Sequence, residues 1–347
     1  MQPQAPTRPS RPRPPEPAAN AAATLERHAE NPSAVLALNA GTEHFTVPGI
    51  DGMIAYRPAG RRTLVQFGGI FAGADDQDRL LDGFVAMAAQ EGRRVVAVQL
   101  LQADAERYAA KGFTLNQFGA SYARSLDGFN LKGKAHVQLR NKISRARRAG
   151  IVVSEVGADR PANAELDTAL DGLDREWLRS KGRHVKELRF MVGERGGPAA
   201  GLRRLFVAAD ADDNLAGYVS FSPVYGRHGG WLHDLSRRRP DAPPGTMELG
   251  VVTAVDRFVS EEAAFLHFGL TPFTGLSDEH ELAGGSRAAA RLVRLLADHG
   301  RHVYPAADQL AYKQKWAPDL VQPEYVAFAG GVSLRSVWAL LRLTNAL

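Results

Sequence analysis

The chain has 347 residues, 44% of them hydrophobic and 23% charged, enough for about two domains with full cores. Cysteine is absent, which excludes disulfides, thiolate nucleophiles, Fe–S clusters and cysteine-based zinc sites. No apolar run approaches the roughly 18–20 residues of a membrane-spanning helix, and a net charge of +5 on a chain this long matters only where it is concentrated.

Residues 1–23 are rich in proline with scattered arginine and have no apolar core of a secretory signal, so they read as a disordered tail. From Ala34 to Leu126 strand and helix patterns alternate. Met53–Arg57 and Thr63–Phe67 read as strands, Asp75–Gln90 as a helix, Arg94–Val98 as a strand, Ala103–Lys111 as a helix and Phe113–Phe118 as a strand. A second round follows. It has helices at Ala164–Ser180, Thr246–Ser260 and Ser286–His299, and strands at Leu205–Ala209, Leu215–Phe221, Gly230–Leu235 and Phe265–Phe268. Mixed sheets flanked by helices give an α/β (or α+β) class, one unit per half. The expected division is 24–130, a basic connection at 131–150, a second domain at 151–330, and an amphipathic helix at 331–347.

Three segments carry chemistry. Between Lys132 and Arg148 lie seven basic residues with no acid among them: Lys132, Lys134, Arg140, Lys142, Arg145, Arg147 and Arg148. On a helix, Val137, Ile143 and Leu139 would face inward and the cations outward, a surface for a polyanion or an anionic lipid face. In WLHDLSRRRPDAPPGTMELG, Asp234 and Arg237 stand where a strand gives way to a proline-stiffened loop. Thr246 can cap the next helix, and Glu248 sits in its first turn. An Asp–Arg salt bridge closing a turn reads as well there as a shared pocket. In YKQKWAP, Lys313 and Lys315 can place one ammonium in a pocket and leave the other wet; a surface strand is the plainer reading. Walker, G-x-G-x-x-G, H-E-x-x-H and G-x-S-x-G patterns are absent, so neither a metal nor a cofactor is expected. In Val332–Leu347, Val337, Trp338, Leu340, Leu341 and Leu347 form an apolar face opposite Arg335 and Arg342, to be packed on the domain or laid on a membrane.

Taken in order, these segments resemble the catalytic domain of bacterial phosphatidylglycerol lysyltransferases, the multiple peptide resistance factors. The resemblance rests on Gly112-Phe113 with Gly119, the stretch FNLKGKAHVQLRNKISRARRAGI, LDREWLRSKG, HDLSRRRPDAPPGTMEL, LHFGLTPFTGL and YKQKWAP, and it covers residues 34–330. It implies tandem GNAT-like acyltransferase folds joined by the basic helix. The implied activity is transfer of an amino acid from aminoacyl-tRNA to the glycerol hydroxyl of phosphatidylglycerol. Asp234 and Arg237 match the family's functional aspartate and arginine, and Lys313 or Lys315 its functional lysine. Glu248 stands where the family usually has aspartate. Lys134, Arg140, Arg145, Arg147, Arg148 and Arg238 would contact tRNA or lipid phosphates. A cytoplasmic protein, peripheral at the inner membrane face, would fit this.

The sequence departs from the family in three places. It has no transmembrane flippase module, so modification without translocation is expected. Tyr304-Pro305-Ala306-Ala307-Asp308-Gln309-Leu310 replaces a glycine-rich stretch, and Ala120-Ser121-Tyr122 lacks the usual acid. The alternative is therefore the same donor chemistry with a soluble small-molecule acceptor in secondary metabolism.

Overall fold

The computed structural model describes residues 16–180, 190–299 and 306–344. Its backbone is one eleven-stranded sheet with helices on both faces, an α/β fold as read from the sequence. The first half contributes β1 (Glu43–Phe45), β2 (Gly52–Pro58), β3 (Thr63–Ala72), β4 (Arg94–Leu100) and β5 (Thr114–Ser125), with α1 (Glu16–His28), α2 (Gln77–Gln90) and α3 (Gln102–Ala110). The basic helix α4 (Val137–Arg148) leads to β6 (Val152–Glu155) and α5 (Ala164–Ser180). Then come β7 (Arg204–Ala209), β8 (Leu215–Val224), β9 (Gly230–Arg238), α6 (Thr246–Ser260), β10 (Phe265–Pro272), α7 (Arg287–His299), α8 (Ala306–Gln314), β11 (Leu320–Phe328) and α9 (Leu334–Leu343).

The strand order is β1-β2-β3-β4-β11-β5-β10-β9-β8-β7-β6. The two halves follow one plan. Each carries an antiparallel run ending in a parallel pair, β3 with β4 and β9 with β10. β11 lies antiparallel between β4 and β5, so residues 320–328, allotted above to the second domain, belong to the sheet of the first half. β9 and β10 pair only through Gly230–Leu232 and Phe265–His267. Beyond that point β9 stays with β8 and β10 with β5, and the two strands diverge.

Four apolar clusters hold the helices to the sheet. Phe206, Phe221, Phe258 and Trp316 lie with α4 and α6, and Leu166 and Leu170 of α5 cluster with Tyr218 of β8. Phe84, Tyr108 and Tyr325 lie with α2 and α3, and Leu25, Phe67, Phe71 and Phe190 pack with α1. Buried apolar area of this kind is worth about 25 cal/mol per Å².

Several expectations need correction. Residues 16–23 are helix, not tail: Pro17 falls in the first turn, where its missing N–H costs nothing, and the alanines after it are strong helix formers. Residues 1–15 lie outside the described residues. On α4 the buried residues are Leu139, Ile143 and Ala146, while Val137 is 40% exposed because it opens the helix at its outer end. Gly245, not Thr246, caps α6; the Thr246 hydroxyl donates to the Pro243 carbonyl instead. Gly245 takes φ 96°, and a Cβ there would run into the Lys142 backbone, so glycine lets the start of α6 press on α4. The Lys313–Lys315 segment ends a helix rather than forming a strand. The α9 face is divided: Val337, Leu340 and Leu343 pack inward, whereas Leu334 and Trp338 point outward, and Leu347 lies outside the described residues.

Candidate functional site

The divergence of β9 from β10 opens the backbone at a place where the side chains are polar. Lys313, from the last turn of α8, enters there and is 4% exposed. Its Nζ donates to the carbonyls of Gly269 (2.5 Å) and Leu270 (3.1 Å) on β10 and stands 5.6 Å from the Tyr122 ring centre. Burial drives Lys313 down to about 7, partly offset by the charge of Glu324. Glu324, on β11, is 1% exposed, and burial pushes it up to about 7 against the Ser121 hydroxyl and the Lys313 charge. His233 on β9 is pushed down to about 4 by burial and by Lys313, so it is neutral at pH 7.

Buried polar atoms are nearly always satisfied, so a group of them without hydrogen bonds of normal geometry marks a place made for something else. Here Ser121 Oγ, Ser222 Oγ, His233 Nε2, Asp234 Oδ1, Thr271 Oγ1 and both Glu324 oxygens are such atoms. They come from the adjoining strands β5, β8, β9, β10 and β11.

Asp234 is the extra residue of a bulge: Phe221 pairs with His233 and Ser220 with Leu235, which leaves Asp234 unmatched. Its ion pair is with Arg203 (3.0 Å), both side chains almost wholly buried, not with Arg237. Arg203 also donates to Asn39 Oδ1 at 2.7 Å, and Asn39 donates to the Val192 carbonyl at 2.8 Å. Gly193 closes over the carboxylate, since a Cβ there would meet Asp234 Cγ at 2.7 Å. Arg237, one turn of the pleat further along β9, lies over the Trp177 ring at 3.9 Å with Asp174 at 3.9 Å.

Glu248 and Lys315 form a second cluster. The Glu248 carboxylate, 7% exposed, takes Lys142 at 3.0 Å and Lys315 at 3.2 Å. Burial opposes its charge, but the Lys142 hydrogen bond and the two ammonium charges hold it below its ordinary value. Burial and Lys142 hold Lys315 down. The two lysines of the motif thus face different groups, Lys313 the interior and Lys315 the α4–α6 seam. Because Glu248 has the lower value when folded, its stabilisation is present above about 4.5 and is lost as pH falls through the folded value. Glu248→Gln is expected to cost about 1–3 kcal/mol at pH 7. Urea melts of the two proteins should converge as pH drops below 4.5, and a constant gap would contradict the arrangement.

Lys132, Lys134, Arg140, Arg145, Arg147 and Arg148 are all exposed, and of the seven cations of this stretch Lys142 alone forms an ion pair among the described residues. Arg140 is spent on the Leu131 and Gly133 carbonyls, so it braces the loop before α4. Arg238 is exposed beside the Ala242 carbonyl, near enough to Lys142 for its charge to act there.

Sequence reading missed Arg203, His233, Glu324 and Lys142 as site residues. Lys142 carried a signal as a member of the basic stretch, and His233 stood at the head of the quoted segment HDLSRRRPDAPPGTMEL with nothing to single it out. A groove of about 900 Å³ between α5 and the β6 edge holds none of the candidate residues. Among the described residues no group of His, Asp and Glu could hold a metal ion, and no helix is long and apolar enough to cross a membrane.

The family profile described as "Phosphatidylglycerol lysyltransferase, C-terminal" matches residues 22–328. The lysylphosphatidylglycerol biosynthesis bifunctional protein LysX of Rhodococcus jostii (strain RHA1) is 27% identical over 220 residues, 60% of this chain and 19% of that protein. LysX of Mycobacterium marinum is 31% identical over 147 residues, 42% of this chain and 13% of that protein. The chain therefore spans less than a fifth of the length of these relatives. Among solved structures, L-PGS from Bacillus licheniformis superposes with a TM-score of 0.75 at 22% identity, covering 96% of this chain and 98% of that one. A C-terminal domain from Agrobacterium fabrum, assigned to a lysylphosphatidylglycerol synthetase, gives 0.75 at 21% identity with the same coverage. At these identities the structural likeness speaks for the fold.

Proposed function

Because the chain belongs to the phosphatidylglycerol lysyltransferase C-terminal family, we propose that it moves an aminoacyl group from aminoacyl-tRNA to a hydroxyl of phosphatidylglycerol by transesterification. The observation that carries this reading is the set of unsatisfied buried polar atoms on the adjoining strands β5, β8, β9, β10 and β11, with Lys313 held on the β10 carbonyls beyond the point where β9 and β10 part. An ester donor and an alcohol acceptor exchange at nearly equal energy, so the protein must supply position, a route for one proton and stabilisation of the oxyanion. Asp234, with one oxygen on Arg203 and the other buried without a hydrogen bond, suits the donor's α-ammonium. Arg237, held over the Trp177 ring, suits a phosphate. Lys315 and Glu248 would fix the α4–α6 seam beside the tRNA end. Lys134, Arg145, Arg147, Arg148 and Arg238 would meet tRNA phosphates, with Arg140 bracing their loop.

Contact with the lipid surface is supported by α9, where Leu334 (90% exposed) and Trp338 (58%) stand out beside the exposed Arg335 and Arg342. This reading places the protein at the inner membrane face.

The test is incubation with charged tRNA and phosphatidylglycerol vesicles, followed by mass analysis. The expected product is an aminoacylated lipid whose formation RNase abolishes. An adduct on a soluble molecule alone would overturn the lipid acceptor, and RNase-insensitive transfer would overturn the donor.

A further inference from the structure

The groups around Lys313 bear on how the proton moves. Nζ has two acceptors, the Gly269 and Leu270 carbonyls, and forms no ion pair among the described residues. A neutral amine has two N–H bonds, which those carbonyls use, and its lone pair is left free. An ammonium would carry a third N–H into a site where no carboxylate meets it. Glu324, whose two oxygens lack hydrogen bonds of normal geometry, is the acid whose charge reaches Lys313. Its other titratable neighbours are His233 on β9, neutral at pH 7, and Tyr122 on β5, whose hydroxyl is engaged by Thr274.

We propose that Lys313 acts as a free amine that takes the proton of the acceptor hydroxyl, and that Glu324 is the positioning residue whose charge sets the basicity of that amine. This rests on the transferase reading above. The acceptor oxygen forms its bond to the aminoacyl carbonyl carbon as its proton passes to Nζ. The bond from that carbon to the ribose oxygen then breaks, and Nζ returns the proton to the ribose oxygen. One ester and one alcohol are consumed and one of each is made, and the amine ends as it began. Burial at these positions holds Lys313 near 7, where an amine can both accept and give back a proton at neutral pH.

Three measurements test it. Transfer by the wild type should rise with pH along a limb centred near 7. Lys313→Arg, charged at every working pH, should lower kcat about 100-fold or more with tRNA binding kept. Glu324→Gln removes a group whose charge, gained as pH rises through about 7, favours the ammonium, so the limb should move to lower pH, with KM for phosphatidylglycerol unchanged. Glu324→Asp, which keeps the charge, should bring the limb back towards the wild type. A buried ion pair of purely structural use would move stability and leave the limb in place. Should Glu324→Gln fail to fold, ¹⁵N-lysine NMR of the wild type should show one Nζ titrating near 7. A limb unmoved in folded Glu324→Gln, an active Lys313→Arg, or every Nζ titrating near 10 overturns the proposal. If the wild type transfers nothing, the transferase reading fails, while the NMR titration still decides the state of the amine.

Discussion

Arg203→Ala is expected to lower stability by about 3–5 kcal/mol and to abolish measurable transfer. The guanidinium and the Asp234 carboxylate are each almost fully buried, 3.0 Å apart, and their charges cancel where water does not reach. Removing one partner leaves an uncompensated buried charge, which costs far more than the net worth of the pair. The loss would spread, because Arg203 also holds Asn39, which anchors the Val192 carbonyl of the segment lying over Asp234. The double variant Arg203→Ala/Asp234→Ala should be more stable than Arg203→Ala alone, since it removes the stranded charge along with the pair. Urea denaturation of the single and double variants measures both quantities. A cost below about 1 kcal/mol for Arg203→Ala would mean that water reaches Asp234 and that the enclosed setting assigned to it is wrong.

The second large effect tests the proposed tRNA donor. Replacing Lys134, Arg145, Arg147 and Arg148 together by alanine should weaken tRNA binding about 100-fold at moderate salt. The slope of log affinity against log salt should become shallower by about 0.7–0.9 for each phosphate no longer neutralised. The fold should be untouched, because these side chains are exposed and Leu139, Ile143 and Ala146 hold α4 to the core. Transfer should show a raised KM for tRNA with kcat retained. Filter binding across a salt series gives the answer, and an unchanged slope would show that α4 does not meet the phosphates.

What could be read in advance follows from how local each signal is. Helix α6 occurs at the bounds read for it and α5 starts where it was read, because their apolar positions repeat at the helical period. The basic helix was legible from charge alone, but its inward face was not settled until its start was known. β11 was missed because Pro323 and Glu324 stand in its middle, and both argue against a central strand. The structure accommodates them at a register shift next to Tyr325. Glu324 was lost with its strand. Arg203 gave no signal, since one of two adjacent arginines reads as solvated charge and its partner lies 31 residues away. Asp234 and Arg237 were legible from their place at a strand end before a proline-stiffened loop, and the resemblance added their match to functional residues, but the bulge that sets Asp234 apart from its neighbours depends on the pairing of two strands and leaves no mark in either alone.

The placement of β11 also governs how such a protein comes into being. While residues 320–328 are still unsynthesised, β4 and β5 have nothing between them, and each exposes a row of unmatched amides and carbonyls. The nascent first half is therefore an unfinished object, unable to close early on the ribosome and open meanwhile to pairing with other chains. Its final seam is sewn by a strand made more than two hundred residues after β4, so its completion waits on long-range closure, the slow kind of contact.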